Sequence, residues 1–175
     1  MSSDKLRVPQ ADSTLETSSA AETEALGERL GQSCSGGEII AVIGPLGAGK
    51  TCFTRGFARG LGVSEGTTTS PTFALIHEYA GRVPLVHVDL YRLDAEAAGH
   101  LGLEEYLESP AVTVIEWADK IRAQLPRDYL RIELQHCGGD RRRITLTPLS
   151  AGYQKIVRAA LKDRAAPWNP NRHEA

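Results

Sequence analysis

The chain has 175 residues, of which 41% are hydrophobic and 24% charged, a length and composition typical of one globular domain. Its 20 basic and 22 acidic residues give a net charge of -2, so it lacks the basic excess of proteins that bind nucleic acid unaided. Three scattered cysteines favour neither a disulfide framework nor a zinc site, and no run of about eighteen apolar residues predicts a membrane span.

The two ends of the chain are polar and lack a clear helix or strand pattern. We therefore predict a flexible leader at residues 1–13 and a flexible tail at residues 163–175. Between them, residues 14–162 are predicted to form a single domain.

Helix and strand patterns alternate along the first half of this domain. The spacing of Ser19 and Glu22 is that of a capping box and predicts the start of a helix that ends at Gly36-Gly37. The β-branched apolar run at 39–43 predicts a strand buried on both faces. A second helix is predicted over 51–61, where apolar residues recur at helical spacing.

The second half of the domain adds hairpins to this alternation. The predicted elements are strands at 73–79 and 83–89, a helical stretch at 95–107, an apolar strand at 112–115, a hairpin of strands at 132–135 and 144–147, and a helix at 153–161. Buried strands that alternate with helices indicate an α/β fold. Because the hairpins add antiparallel strands, we expect a mixed, mostly parallel sheet flanked by helices.

Residues 44–51 match the phosphate-loop pattern G-x-x-x-x-G-K-[ST], and they lie between a predicted strand and a predicted helix. Glycines allow successive backbone N–H groups to turn towards phosphate oxygens, and the helix N-terminus attracts the same anion. The pattern assigns Lys50 to the β- and γ-phosphates and the Thr51 hydroxyl to Mg²⁺. The predicted nucleotide-binding residues are Leu46, Gly47, Ala48, Gly49, Lys50 and Thr51.

Two acidic residues follow apolar strands, the position from which a carboxylate can face the phosphates. These residues are Asp89 and Glu116, and the strand before Glu116 is the more apolar, as expected next to the phosphate-loop strand. We interpret the hydroxyl-rich segment 67–73, here called the switch loop, as a sensor of the γ-phosphate. No guanine-specific N-K-x-D motif is present, which leaves a small kinase or a small regulatory ATPase.

Five blocks of sequence resemble, in the same order, the motifs of the TsaE family, the bacterial ATPases of the tRNA threonylcarbamoyladenosine pathway. The resemblance runs from about residue 19 to residue 147. The blocks are LGAGKT at 46–51, TSPTF at 69–73, HVDLYRL at 87–93, LGLEEYL at 101–107 and IEW at 115–117.

This resemblance implies a cytoplasmic protein that binds and hydrolyses ATP with Mg²⁺ and associates with the TsaB–TsaD pair. TsaD transfers the threonylcarbamoyl group to the adenosine beside the anticodon, so any contact with tRNA is expected to be indirect. The resemblance also implies that Thr51 and Glu116 hold Mg²⁺, that Lys50 binds phosphate and that Asp89 is a further catalytic or switch carboxylate. The switch residues that it implies include Thr69, Ser70, Pro71 and Thr72.

Several alternatives stay open at this level. Either Asp89 or Glu116 could orient the attacking water, and the oligomeric state and the adenine contacts are undetermined. A small-metabolite kinase and a nucleotide-gated adaptor without meaningful turnover are the rival functions. The basic cluster at 141–143 is interpreted as a solvated turn in preference to a contact with tRNA or a partner.

Overall fold

A computed structural model describes residues 12–64 and 75–162. The strands are β1 (Ser13–Thr17), β2 (Ile39–Ile43), β3 (Ile76–Tyr79), β4 (Leu85–Asp89), β5 (Val112–Glu116), β6 (Leu130–His136) and β7 (Arg142–Pro148). The helices are α1 (Ala20–Gln32), α2 (Lys50–Gly60), α3 (Ala95–Gly99), α4 (Glu104–Leu107) and α5 (Ala151–Lys162), with a 3-10 turn at Ala118–Ile121.

The strands form one sheet in the order β1-β7-β6-β2-β5-β4-β3. The four central strands β6, β2, β5 and β4 run parallel to one another. At the edges of the sheet, β3 pairs antiparallel with β4, β7 pairs antiparallel with β6, and β1 pairs antiparallel with β7. Helices flank this sheet, so the predicted mixed α/β architecture is confirmed. The phosphate-loop strand β2 pairs directly with β5, which places β5 at the centre of the sheet as predicted.

The central strand β2 is buried on both faces because its alternate side chains enter two different apolar clusters. Ile40 and Val42 pack in the cluster that contains α1 and α2 residues, and Ile39 and Ala41 pack in the cluster on the opposite face. This explains the continuous apolar run in the sequence, since a strand covered on both sides has no polar face.

Helices α1 and α2 approach each other through glycines on the first of these faces. Added Cβ atoms at the four glycines would overlap carbonyl oxygens of the facing helix: Gly27 with Phe53, Gly31 with Phe57, Gly56 with Glu24 and Gly60 with Glu28. The order of these pairs shows that the two helices run parallel. Their N-termini therefore lie at the same edge of the sheet, where the Cys52 Sγ lies 3.4 Å from the Ala20 carbonyl oxygen.

Some predicted boundaries differ from the structure. The single helical stretch at 95–107 is two short helices, separated at Gly102, whose φ of 67° does not continue a right-handed helix. Ser13, assigned to the leader by the sequence, is the first residue of β1. The predictions for residues 1–11, 65–74 and 163–175 lie outside the described residues. None of the helices in the described ranges has both the length and the apolar character needed to span a membrane.

Candidate functional site

The loop between β2 and α2, residues 44–49, has the backbone conformation expected of a phosphate loop. Gly44, Gly47 and Gly49 have φ values of 146°, 76° and 100°, which glycine adopts more readily than other residues. A Cβ atom at Gly44 would also overlap the Leu134 carbonyl oxygen on β6. Gly49 provides no side-chain cap for α2, so the first amides of this helix are available to an anion.

The other predicted loop residues divide between the core and the surface. The side chain of Ala48 is fully buried and packs in the α1–α2 cluster, where it anchors the loop. Leu46 is 73% exposed at the tip of the loop. Any contribution of Leu46 to nucleotide binding therefore comes from its backbone, unless a partner covers its side chain.

The side chain of Lys50 folds back over its own loop. Its Nζ donates hydrogen bonds to the carbonyls of Gly44 at 2.7 Å and Pro45 at 2.8 Å. The same atom lies 3.7 Å from the ring centroid of Trp117, within range of a cation–π interaction. Burial lowers the pKa of Lys50, and the nearby carboxylates offset this effect only in part. The ammonium group is thus held at the mouth of the phosphate loop.

Glu116, the last residue of β5, is only 1% exposed and both of its carboxylate oxygens are engaged. The Thr51 hydroxyl donates to Oε2 at 2.9 Å, and His87 Nε2 lies 3.0 Å from Oε1. Burial by itself raises the pKa of Glu116, but the hydrogen bond and charge of His87, together with the Thr51 hydroxyl, lower it below its usual value. The site therefore contains a buried carboxylate that touches the phosphate-loop threonine.

Asp89 is the residue of β4 directly beside Glu116 in the sheet register. Its Oδ1 accepts a hydrogen bond from the Tyr91 backbone N–H at 3.0 Å, and its own N–H donates to the Leu75 carbonyl at 2.9 Å. The structure thus brings Lys50, Thr51 and Glu116 into a connected group, with Asp89 on the adjacent strand. The predicted switch residues Thr69, Ser70, Pro71 and Thr72 lie outside the described part of the chain.

A further lysine supports this edge of the sheet, and the sequence reasoning did not single it out. Lys120 Nζ donates to the carbonyls of Leu90, Tyr91 and Leu93 at 2.8, 2.8 and 2.6 Å, and so fixes the loop that follows Asp89. Trp117, which lies against Lys50, has a φ of 60° that is uncommon for a bulky residue. Its ring centroid lies 5.2 Å from that of Tyr91. Such strained residues occur preferentially at functional sites.

His87 was also missed as a site residue, although it is the first residue of the HVDLYRL block at 87–93. It is buried, as a core residue would be, but it contacts Glu116 on the neighbouring strand. The sequence did contain one indication of this role. His87 lies two residues before Asp89, so its side chain is on the same strand and near the edge of the sheet where Asp89 and Glu116 lie.

A strand, a glycine-rich loop that ends in Lys-Thr, a helix and an acidic residue at the end of the adjacent parallel strand define a domain of the P-loop nucleoside triphosphatase class. Comparison with known proteins identifies the family within this class. The family profile described as threonylcarbamoyl adenosine biosynthesis protein TsaE matches residues 17–144. The chain therefore belongs to the TsaE family, as the sequence motifs predicted.

Individual relatives agree with this assignment. The chain is 41% identical over 136 residues to the tRNA threonylcarbamoyladenosine biosynthesis protein TsaE of Bacillus subtilis, covering 77% of this chain and 85% of the relative. It is 39% identical over 129 residues to the protein of the same name from Treponema pallidum, covering 73% and 95%. The crystal structure of YdiB from Bacillus subtilis superposes with a TM-score of 0.75 at 34% identity, covering 88% of this chain and 97% of that chain.

Proposed function

We propose that this protein binds and hydrolyses ATP in the presence of Mg²⁺, and that this turnover supports threonylcarbamoylation of the tRNA adenosine next to the anticodon by the TsaB–TsaD pair. The hydrogen bond between Thr51 and Glu116 carries the proposal, because it joins the hydroxyl of the phosphate loop to a buried carboxylate. The pathway is taken from the relatives, which are described as tRNA threonylcarbamoyladenosine biosynthesis proteins.

The residues present fit a magnesium–nucleotide complex better than a metal bound by protein alone. Within residues 12–64 and 75–162, no group of three or more His, Cys, Asp or Glu side chains could hold a metal ion. Mg²⁺ commonly takes one or two protein oxygens and completes its shell with water and substrate phosphates. Thr51 and Glu116 would supply those protein oxygens, and the amides of residues 46–51 would bind the phosphates. When bound, Mg²⁺ neutralises charge on the β- and γ-phosphates.

The protein's own contribution to hydrolysis is positioning and charge. Lys50 would exchange its two loop carbonyls for phosphate oxygens, so its ammonium group remains at the mouth of the loop in both states. Both oxygens of Glu116 are already engaged by Thr51 and His87. Asp89 is half-buried beside Glu116, and its Oδ1 accepts a hydrogen bond from the Tyr91 backbone N–H, so we take Asp89 as the better candidate to orient the attacking water.

The coupling to partners would act through the switch loop. Its hydroxyl-rich sequence suits recognition of the γ-phosphate, and loss of that phosphate would then change the affinity for TsaB–TsaD in the cytoplasm. Equal affinity for the partners with ATP, with ADP and without nucleotide would contradict this coupling.

The central test is ATP hydrolysis by the purified chain, alone and with TsaB, TsaD and tRNA. Glu116→Ala should lower kcat by at least about 100-fold, as expected when one charge-stabilising group is lost from a site. Glu78→Ala, which removes an exposed glutamate from β3, is the matched control and should keep wild-type turnover. Nucleotide binding without partner-dependent turnover would instead favour a nucleotide-gated adaptor.

A further inference from the structure

The three consecutive arginines at 141–143 have different environments. Arg143 is exposed and forms an ion pair with Glu16 at 2.9 Å. Arg141 is exposed and donates to the Cys137 carbonyl at 3.2 Å within the turn. Arg142, the first residue of β7, is half-buried and lies against the phosphate loop. The cluster is therefore only in part the solvated turn that the sequence suggested.

Arg142 contacts the loop at the position where α2 begins. Its Nε lies 3.5 Å, and its Cδ 3.9 Å, from the point that a Cβ atom on Gly49 would occupy. The next apolar neighbour of that point is Leu134 on β6, at 3.8 Å. Lys50 instead leans towards Trp117, which follows β5. The two cations thus lie on opposite sides of the loop, with Arg142 on the β6 side.

The guanidinium group of Arg142 is oriented but not neutralised. Nη1 donates to the carbonyls of Gly139 at 3.1 Å and Arg141 at 3.0 Å, which fixes the side chain against the turn. Among the residues that the structure describes, no carboxylate pairs with it. Arg142 lies beside Gly49, at the positive N-terminal end of α2, where the uncapped amides and the helix dipole favour a bound anion.

We propose that Arg142 is a nucleotide-binding residue that contacts the α-phosphate of the bound nucleotide. This inference rests on the proposed function, because it requires ATP at the phosphate loop. In phosphate loops the backbone amides hold the α- and β-phosphates, while the lysine reaches the β- and γ-phosphates. Lys50 accounts for the γ-phosphate side, so a cation beside Gly49 on the other side of the loop faces the α-phosphate end. Arg142 provides N–H donors on a rigid planar group suited to phosphate oxygens.

The test compares nucleotide affinities of Arg142→Ala with those of its two neighbours. We expect Arg142→Ala to weaken ATP and ADP binding by the same factor, about tenfold, because both nucleotides have an α-phosphate and one charge-assisted hydrogen bond is lost. Arg141→Ala and Arg143→Ala remove the same charge from the same turn and should bind both nucleotides like the wild type. Titration calorimetry measures the affinities, and thermal unfolding without nucleotide verifies that each variant is folded.

The outcomes separate this inference from the proposed function. Equal losses for ATP and ADP, confined to Arg142→Ala, support the α-phosphate contact. A loss for ATP alone would place the contact at the γ-phosphate and overturn the assignment. The assignment would also be wrong if Arg142→Ala bound both nucleotides like the wild type, or if Arg141→Ala or Arg143→Ala lost as much affinity. In either case, ATP binding by the wild-type protein would still support the proposed nucleotide site. A wild-type protein that bound neither nucleotide would refute the proposed function itself.

Discussion

Glu116 carries its negative charge in a place where burial opposes ionisation. A carboxylate that is 1% exposed is stable only when its oxygens are paired, and here the partners are His87 and Thr51. His87 therefore acts as a positioning residue. By donating from Nε2 to one oxygen, it leaves the other directed at the threonine of the phosphate loop.

Replacement of His87 should consequently impair the proposed hydrolysis more than it impairs folding. We expect His87→Ala to lower kcat and to raise the Mg²⁺ concentration needed for half-maximal rate. At least one of these two quantities should change by about 10–100-fold, as is typical when a residue that orients a metal ligand is removed. His87→Gln should recover much of the rate, because its amide can donate from nearly the same position as Nε2. The measurements are the Mg²⁺ dependence of turnover and of ATP affinity.

His77 offers a matched control for this experiment. It is the register partner of His87 on the adjacent strand β3, and no hydrogen-bond partner for its Nε2 is found within the described ranges. His77→Ala should keep the wild-type Mg²⁺ dependence. If His77→Ala and His87→Ala had the same effect, or if His87→Gln rescued nothing, the hydrogen bond to Glu116 would not be the cause.

At the level of elements, the contact between α1 and α2 depends on glycine. Gly56→Ala would place a methyl group on the Glu24 carbonyl and force the helices apart, so we expect a loss of at least about 1–3 kcal/mol in the free energy of unfolding. Gly152→Ala is the control, since a Cβ there lies 3.7 Å from the Ser150 Oγ and meets no obstacle. Because Gly152 is exposed in the first turn of α5, that change should alter the free energy of unfolding by less than about 0.5 kcal/mol. Urea unfolding measures the stability of both variants. If Gly56→Ala were as stable as the wild type, the distance between α1 and α2 could increase without an energetic cost, and the close contact would not be required.

Helix α5 is attached to the central strand β2 by one buried hydroxyl. The Tyr153 hydroxyl accepts the Ile39 backbone N–H at 2.8 Å, so Tyr153→Phe leaves that N–H without an acceptor and should cost about 1–3 kcal/mol. Tyr91→Phe, at an exposed tyrosine, should change the unfolding free energy by less than about 0.5 kcal/mol. If the two substitutions had equal effects, the hydrogen bond between Tyr153 and Ile39 would not contribute measurably to the free energy of unfolding.

The same tyrosine should make the stability depend on alkaline pH. Burial raises the pKa of Tyr153 above its ordinary value. The unfolded chain releases this proton at about pH 10, whereas the folded protein retains it to higher pH. The stabilisation is therefore fully present below about pH 10 and is lost as the pH rises through the folded pKa. Urea unfolding between about pH 8 and 11 should show this decline, and the decline should be smaller in Tyr153→Phe.

At the scale of the whole molecule, the sequence was most informative where a strand is buried on both faces. The apolar runs of β2 and β5 identified the centre of the sheet because no solvent-facing residue interrupts them. The edge strand β1, Ser-Thr-Leu-Glu-Thr, was missed. Only Leu15 and Thr17 of its five residues are buried, and its strand conformation depends on pairing with β7, far along the chain. The strand propensity of these five residues alone does not reveal their pairing with β7.

The residues of the candidate site also fall into two groups, those that the sequence predicts and those that only the fold reveals. Lys50, Thr51 and Glu116 were predictable because a contiguous motif and a strand end determine them. The contacts of His87, Lys120 and Arg142 depend on which strands are neighbours and in which register, and a single sequence does not specify either. Residues that support a site from adjacent strands, or from the turns that follow them, are thus found from the fold, whereas residues on the loop itself are found from the motif.

The site gathers segments that are distant in sequence at one edge of the sheet, so a nucleotide bound there should stabilise the whole fold. At an ATP concentration about 100-fold above its Kd, binding adds about 2.7 kcal/mol to the free energy of unfolding, which corresponds to a rise of about 5–10 °C in Tm for a chain of this size. Lys50→Ala should lose most of this rise, because the ammonium group at the mouth of the loop is removed. Arg143→Ala, whose side chain pairs with Glu16, should keep it. Thermal unfolding with ATP and Mg²⁺ measures the shift, and an equal rise in Lys50→Ala would show that ATP stabilises the protein from a site other than the phosphate loop.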